Sequence, residues 1–204
     1  MKSCFREPIP EIFEAADYLD KAVTEYLAGN SEYASELIKK ADIPAIGEWT
    51  ESIWGKNSPY VELSQVSSIP DIPKDMRIKA RMPNSMEKKA LHTRDRYNCR
   101  FCGIPVVRNE TRQKLRKAFP EALRWAHENN KCHRAFQAMW AQYDHVVPHS
   151  KGGSNSFENL IVTCAPCNFG KMNYTLEELG LSDPRLRNPI MTSWDGLERF
   201  RIKL

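Results

Sequence analysis

The feature that most constrains this chain is a pair of knuckles far apart in sequence, Cys99-Arg-Phe-Cys102 and Cys164-Ala-Pro-Cys167. Two residues between cysteines let both sulfurs turn toward one cation, and two such pairs supply four thiolates. That is the closed tetrahedral shell of a structural Zn²⁺, with no position left for water or substrate. The chain between the pairs must therefore leave the metal and return to it. The competing readings are a coincidence of buried thiols and a redox pair, and a redox role leaves the second pair unexplained. Cys4 reads as an ordinary thiol. Cys132-His133, with His127 nearby, offers ligand atoms but reads as incidental to a helical segment.

The 204 residues suffice for one domain with an appendage or for two small domains. No apolar run approaches the roughly 18 to 20 residues of a membrane span. The opening Met1-Lys2-Ser3-Cys4-Phe5-Arg6-Glu7-Pro8 lacks an apolar signal core, so a cytoplasmic protein without membrane contact is expected. In that compartment six cysteines favour metal or free thiols over disulfides. The net charge of +4 conceals a segregation. Residues 1–73 hold 6 Lys+Arg against 13 Asp+Glu, residues 74–134 hold 17 against 6, and residues 135–204 hold 7 of each. A basic middle third suits a polyanion, while its alternative is a set of solvated helix faces.

Apolar spacing predicts a helix over Glu11–Ala28, entered at Pro10 and stopped at Gly29-Asn30. Ser31 is the expected cap of a second helix to about Ala41, with Tyr33, Leu37 and Ile38 on one face, and a short piece runs from Ile46 to Trp54. Residues 1–55 thus read as an acidic helical region, either a packing appendage or a docking surface for a protein partner. Residues 56–74 read as a linker, with a short strand possible at Tyr60–Leu63. Ser85 is the expected cap of a helix toward Arg94. Residues 75–204 make the main domain, interrupted at about 108–140 by a basic helical insert whose anchors are Leu115, Phe119, Leu123, Trp125, Phe136, Met139 and Trp140, with Pro120 separating two helices.

The decisive stretch runs from Tyr143 to Lys171. It places Asp144-His145-Val146-Val147-Pro148 at the end of a short strand, then a Gly152-Gly153 loop, then Asn159-Leu160-Ile161-Val162-Thr163 as a second strand. Cys164-Ala-Pro-Cys167-Asn168-Phe-Gly-Lys171 follows, with a helix expected from near Asn168. The order is β–β–α. This pattern resembles the HNH endonuclease family with the ββα-metal fold, in the variant whose last letter is Asn, as in the HNH domain of CRISPR effector nucleases. The resemblance covers about residues 77–180, outside residues 1–55 and the insert. The fold class it implies is α+β: a ββα-metal core with a four-cysteine zinc site, a helical insert and an N-terminal helical extension.

The chemistry suits these residue types. Asp144 and Asn168 offer a carboxylate and a neutral carbonyl oxygen, a hard pair for a catalytic Mg²⁺ or Mn²⁺ separate from the zinc. His145 is the candidate general base, because imidazole titrates near neutrality. The resemblance implies that Asn159 helps hold its geometry. Adjacent strand residues face opposite ways, so the strand is expected to end or bulge at Asp144-His145. His149, Lys151 and Lys171 are the candidate nucleic-acid contacts. For His149, a contact to phosphate or metal stands against the favoured reading of a plain loop residue, and for Lys171 the alternative is a solvated helix lysine. The resemblance implies 3′-oxygen departure, 5′-phosphate products and one strand cut per site.

The expected function is a metal-dependent DNA endonuclease, with an anti-phage defence or restriction system as its setting by family analogy. Two alternatives stand beside it. One is a non-catalytic zinc module binding nucleic acid or a partner; the other is a nuclease subunit docked through residues 1–55. No base-reading module is visible, so weak sequence specificity is expected.

Overall fold

The structure is a computed structural model that describes residues 1–204 apart from 55–56, 65–68, 78–81 and 202–204. The expected linker 56–74 falls partly outside the described residues.

Three helices open the chain: α1 (Pro10–Ala28), α2 (Ser31–Lys40) and α3 (Pro44–Ile53). Pro10 and Pro44 sit in the first turns of α1 and α3, where the missing N–H costs nothing. Gly29 ends α1 at φ 102°, and the N–H groups of Gly29 and Asn30 close on the carbonyls of Tyr26 and Glu25 at 3.0 and 2.9 Å. This left-handed cap is cheap only for a residue without Cβ, and it folds α2 back onto α1. The face that α2 buries is Ala34, Leu37 and Ile38. Tyr33, expected on that face, is exposed, because it lies at the edge of the stripe, beside Leu37 but turned away from Ile38.

The next helix, α4 (Ser85–Asp95), is capped by Asn84 rather than by Ser85. Asn84 Oδ1 accepts from the N–H groups of Met86 and Glu87, both at 3.0 Å, while Glu87 returns a bond to the Asn84 N–H at 2.8 Å. This reciprocal box satisfies two orphan donors, so it outcompetes a lone serine. The possible strand at Tyr60–Leu63 does not form; these residues run as turn and irregular chain.

The insert holds α5 (Asn109–Ala118) and the five-residue α6 (Arg134–Ala138), joined by turns. Pro120 lies just past the end of α5. Strands β1 (Ala141–His145) and β2 (Leu160–Cys164) pair antiparallel, with Asp144 opposite Ile161 and His145 opposite Leu160. Helix α7 (Ala165–Lys171) follows directly and packs on both strands. It starts one turn earlier than the expected Asn168, because Pro166 is favourable in a first turn and Cys164 serves as the N-cap residue.

The described buried residues form one continuous core. Tyr26 of α1 packs against Phe119 of the insert and Phe200 near the C-terminus, with ring centroids 5.4 and 4.9 Å apart. Helix α3 lies against α6 and α7. A Cβ on Gly170 would sit 3.1 Å from Ile53 Cγ2, so only a small residue lets α7 approach α3 this closely. The acidic front end thus buttresses the helix that carries Asn168. Truncating the fully buried Ile53 to Ala should cost roughly 2–5 kcal/mol of stability, read as a lower urea midpoint with an unchanged m-value.

Candidate metal and nuclease centre

The first knuckle is a tight turn. Cys99 N–H donates to Ile104 O at 2.9 Å, Gly103 N–H donates to Cys99 O at 2.8 Å, and Gly103 adopts φ 81°. The second begins at the last residue of β2 and ends inside α7. The sulfurs of Cys99, Cys102, Cys164 and Cys167 all lie within 4.8 Å of one another, and those of Cys102 and Cys164 are 3.6 Å apart. Tetrahedral Zn–S bonds of about 2.3 Å require sulfurs about 3.8 Å apart, so the donor set fits zinc. Burial opposes charge on Cys99, but hydrogen bonds from the other three thiols hold it well below the ordinary thiol range. Cys102 and Cys167 are held well above it. Four thiolates can coexist here only around a cation. Among the described residues this is the one cluster of at least three such side chains able to share an ion. Cys132 instead bonds to Ala126 and Glu128 carbonyls, and buried His133 meets Ile38 O at 2.8 Å.

Strand β1 ends at His145, so its last two residues diverge. Asp144 turns inward under α7, where Lys171 Nζ lies 3.3 Å from each carboxylate oxygen and donates to His145 O at 2.8 Å. Lys171 is 0% exposed. It therefore clamps the end of β1 and presents no surface to a phosphate, contrary to its expected place among the nucleic-acid contacts. Burial raises the Asp144 carboxyl to about 6, against the lowering effect of Lys171. Its Oδ2 is buried and accepts no hydrogen bond from a described residue. Asn168, partly exposed in α7, makes no side-chain hydrogen bond to a described residue. An orphaned carboxylate oxygen and an unengaged amide oxygen on neighbouring elements suit a hard divalent cation, which would share Asp144 with Lys171.

His145 turns toward the loop. Its Nε2 lies 2.9 Å from Asn155 Oδ1. An amide oxygen only accepts, so Nε2 carries the proton in this pairing and Nδ1 keeps its lone pair. Burial lowers the His145 pKa despite that bond, and the His149 and Lys171 charges lower it further. The ring is then neutral at pH 7, as a base must be. Sequence reasoning missed Asn155; its signal was a polar residue in the Gly-Gly loop. Asn159 holds the loop itself. Its Oδ1 accepts from Val147 N–H at 2.9 Å, and its Nδ2 donates to Val147 O and Ser154 O at 3.1 and 2.9 Å. Gly153 completes the turn, since a Cβ there would lie 1.8 Å from Val147 O.

His149 stacks edge-on toward His145, with centroids 6.1 Å apart. Lys151 differs from its expected role. Its side chain is 8% exposed and engages Asp71 at 3.2 Å, Glu178 at 4.0 Å and the Ile69 carbonyl, which ties residues 69–72 to the site loop. Much of the basic middle third is likewise structural. Arg94 chelates buried Asp95 and caps Phe157 O and Leu160 O, Arg100 reaches the Pro184 and Arg187 carbonyls, and Arg108 lies 3.6 and 3.5 Å from Glu110 and Glu198. The cations left exposed include Lys89, Arg96, Lys114, Arg116 and Lys117.

Residues 130–182 match the HNH endonuclease family model. The chain carries an HNH endonuclease domain. The matched span includes β1, β2, α7 and the second knuckle, while Cys99 and Cys102 join it only in space. No curated protein and no solved structure matches the chain. An HNH domain suggests nuclease activity in general and implies a nucleic-acid substrate.

Two outcomes follow from this geometry. Cys167→Ser should lower bound zinc below one ion per chain by elemental analysis and lower the melting midpoint, whereas Cys4→Ser should leave zinc content unchanged. The second concerns Asp144. A carboxyl whose folded pKa is above its unfolded value binds more protons when folded, so stability falls as pH rises between the two. With magnesium withheld, wild type should lose stability relative to Asp144→Asn between about pH 4 and 6, by up to about 3 kcal/mol for a two-unit shift. Denaturant melts of both proteins at pH 4.5 and 7.5 measure it; equal differences at both pH values contradict the burial of a titrating Asp144.

Proposed function

We propose that this protein is a metal-dependent endonuclease that hydrolyses phosphodiester bonds in DNA, with His145 as general base. The observation that carries the reading is the end of β1 in an HNH domain. There a neutral imidazole with a free Nδ1 stands next in sequence to a buried carboxylate that has an unsatisfied oxygen.

The phosphodiester resists attack because it is anionic. A Mg²⁺ or Mn²⁺ held by Asp144 and Asn168 would neutralise a nonbridging oxygen and stabilise the departing alkoxide. The protein's own work is positional. His145 Nδ1 accepts the proton of the attacking water, while Asn155 holds the opposite ring nitrogen and keeps the tautomer. Lys171 fixes the Asp144 carboxylate and the His145 backbone together, so the base and the metal ligand keep one mutual geometry. Asn159 keeps the loop that carries Asn155 closed. One such centre cuts one strand, so a monomer gives nicks. DNA is the favoured substrate through the family resemblance, and anti-phage defence or restriction in the cytoplasm is the biological setting we infer by the same analogy.

Incubation of supercoiled plasmid with protein and Mg²⁺ tests the reading. Wild type should convert supercoiled to nicked circles, and His145→Ala should be slower by at least about 100-fold, the usual contribution of a positioned base. Asp144→Ala should lose both cutting and any Mg²⁺-induced rise in melting midpoint. Equal cutting by His145→Ala, or no cutting of any nucleic acid by wild type, overturns the assignment.

A further inference from the structure

The five tryptophans fall into two kinds. Trp49 and Trp194 donate their indole N–H groups to Glu7 O and Val106 O at 2.8 and 3.0 Å. Trp54, Trp125 and Trp140 donate to no described residue, and all three are partly exposed. With Phe169 they form an unbroken row. Trp54 stacks on Phe169 at 4.8 Å between centroids, Phe169 meets Trp140 edge-on at 6.4 Å, and Trp140 meets Trp125 at 5.6 Å. Trp54, Phe169 and Trp140 lie outside the buried core cluster. A tryptophan that serves only packing is normally sunk in the core with its N–H paired; Trp54 and Trp140 are neither, and Trp125 packs at the edge of the core with its N–H unpaired among the described residues.

The row joins the nuclease centre at two points. Phe169 follows Asn168 in α7. Trp140 immediately precedes β1, whose far end carries Asp144 about 13 Å away at strand spacing. Its other end is cationic. The Arg112 guanidinium lies 3.3 Å from the Trp125 ring centroid and 4.8 Å from that of Trp140. Arg112 is mostly buried, its Nη1 has no hydrogen-bond partner among the described residues, and no described carboxylate pairs with it. The same helix, α5, exposes Lys114, Arg116 and Lys117. At the Trp54 end α3 carries Glu48 and Glu51, so an anionic strand is drawn to the Trp125–Trp140–Phe169 portion.

We propose that this portion is a stacking surface for unpaired bases of the DNA strand that the nuclease centre cuts. The proposal rests on the nucleic-acid reading above and deepens it: the substrate carries single-stranded bases beside the scissile bond. Flat aromatic rings with adjoining cations are the chemistry by which proteins hold single strands without reading sequence, because every base has a π face and every nucleotide a phosphate. Duplex DNA keeps its bases stacked internally and offers this row only its backbone.

Binding is measured on the full chain in magnesium-free buffer, by fluorescence anisotropy of a labelled single-stranded oligo-dT and of a duplex of equal length. Wild type should bind the single strand more tightly, with quenching of its tryptophan fluorescence. Trp125→Leu and Phe169→Leu should each weaken single-strand binding about tenfold and duplex binding much less, and Trp140→Phe should stay near wild type. Thermal melts confirm that each variant is folded; for one that is not, the quenching of wild type by oligo-dT supplies the readout. Unchanged single-strand affinity in both leucine variants, absent quenching, or tighter binding of duplex by wild type overturns the proposal. Tighter binding of oligo-U than of oligo-dT overturns its assignment to DNA. Plasmid cutting is scored separately, so failure of the nuclease reading and failure of the stacking surface give different results.

Discussion

The four-cysteine cluster is the constraint on which the rest of the structure depends. It ties a loop at residues 99–102 to the junction where β2 becomes α7. Cys164 ends the strand and serves as the N-cap residue of the helix, and Cys167 directly precedes Asn168. A two-stranded sheet is marginal alone, and a seven-residue helix is shorter than isolated helices can sustain. The metal-ligand set supplies the missing cross-link, and with it the position of Asn168 relative to Asp144. Asp95 reinforces the same junction from α4, accepting Val162 N–H at 2.8 Å while Arg94 chelates it.

Around that staple the centre is assembled by buried polar contacts rather than by surface charge. Lys171 is the clearest case. A fully buried ammonium is expensive unless paired, and this one satisfies itself on a carboxylate and a carbonyl that belong to consecutive residues of β1. That pairing explains how Asp144 and His145 point to different sides and still keep one relative geometry. Lys151 does similar work at the loop edge. The positive charge of the middle third is largely consumed in the same way, by carbonyls and carboxylates within the fold, which leaves α5 as a prominent outward cationic face.

The N-terminal helices take part in this arrangement. Ile53 against Gly170, and Trp54 stacked on Phe169, bring the acidic front end onto the helix that carries Asn168. The insert contributes Trp125 and Trp140 and, through Phe119, the pocket that receives Tyr26. Segments with no counterpart in the HNH resemblance therefore surround the nuclease core and shape the aromatic approach to it.

The sequence by itself determined whatever depends on local spacing. The helical periodicity of α1, α2 and α3, the two knuckles and the β–β–α order were all legible, because each is a short-range pattern with its own physical reason, whereas Asp144, His145, Asn159 and Asn168 were singled out together through the family resemblance. Capping at Asn84 rather than Ser85 was not, since two adjacent polar residues compete and only the backbone decides between them. Tertiary structure alone decided which charges remain free. Lys171, Lys151, Arg100 and Arg112 are indistinguishable in sequence from solvated cations, and burial depends on what the chain brings from 20 or more residues away. It also decided that Asn155 partners His145, and that four aromatics between positions 54 and 169 form one row. Distances across such separations follow from the closure of the zinc staple and the shared core, which no local pattern encodes.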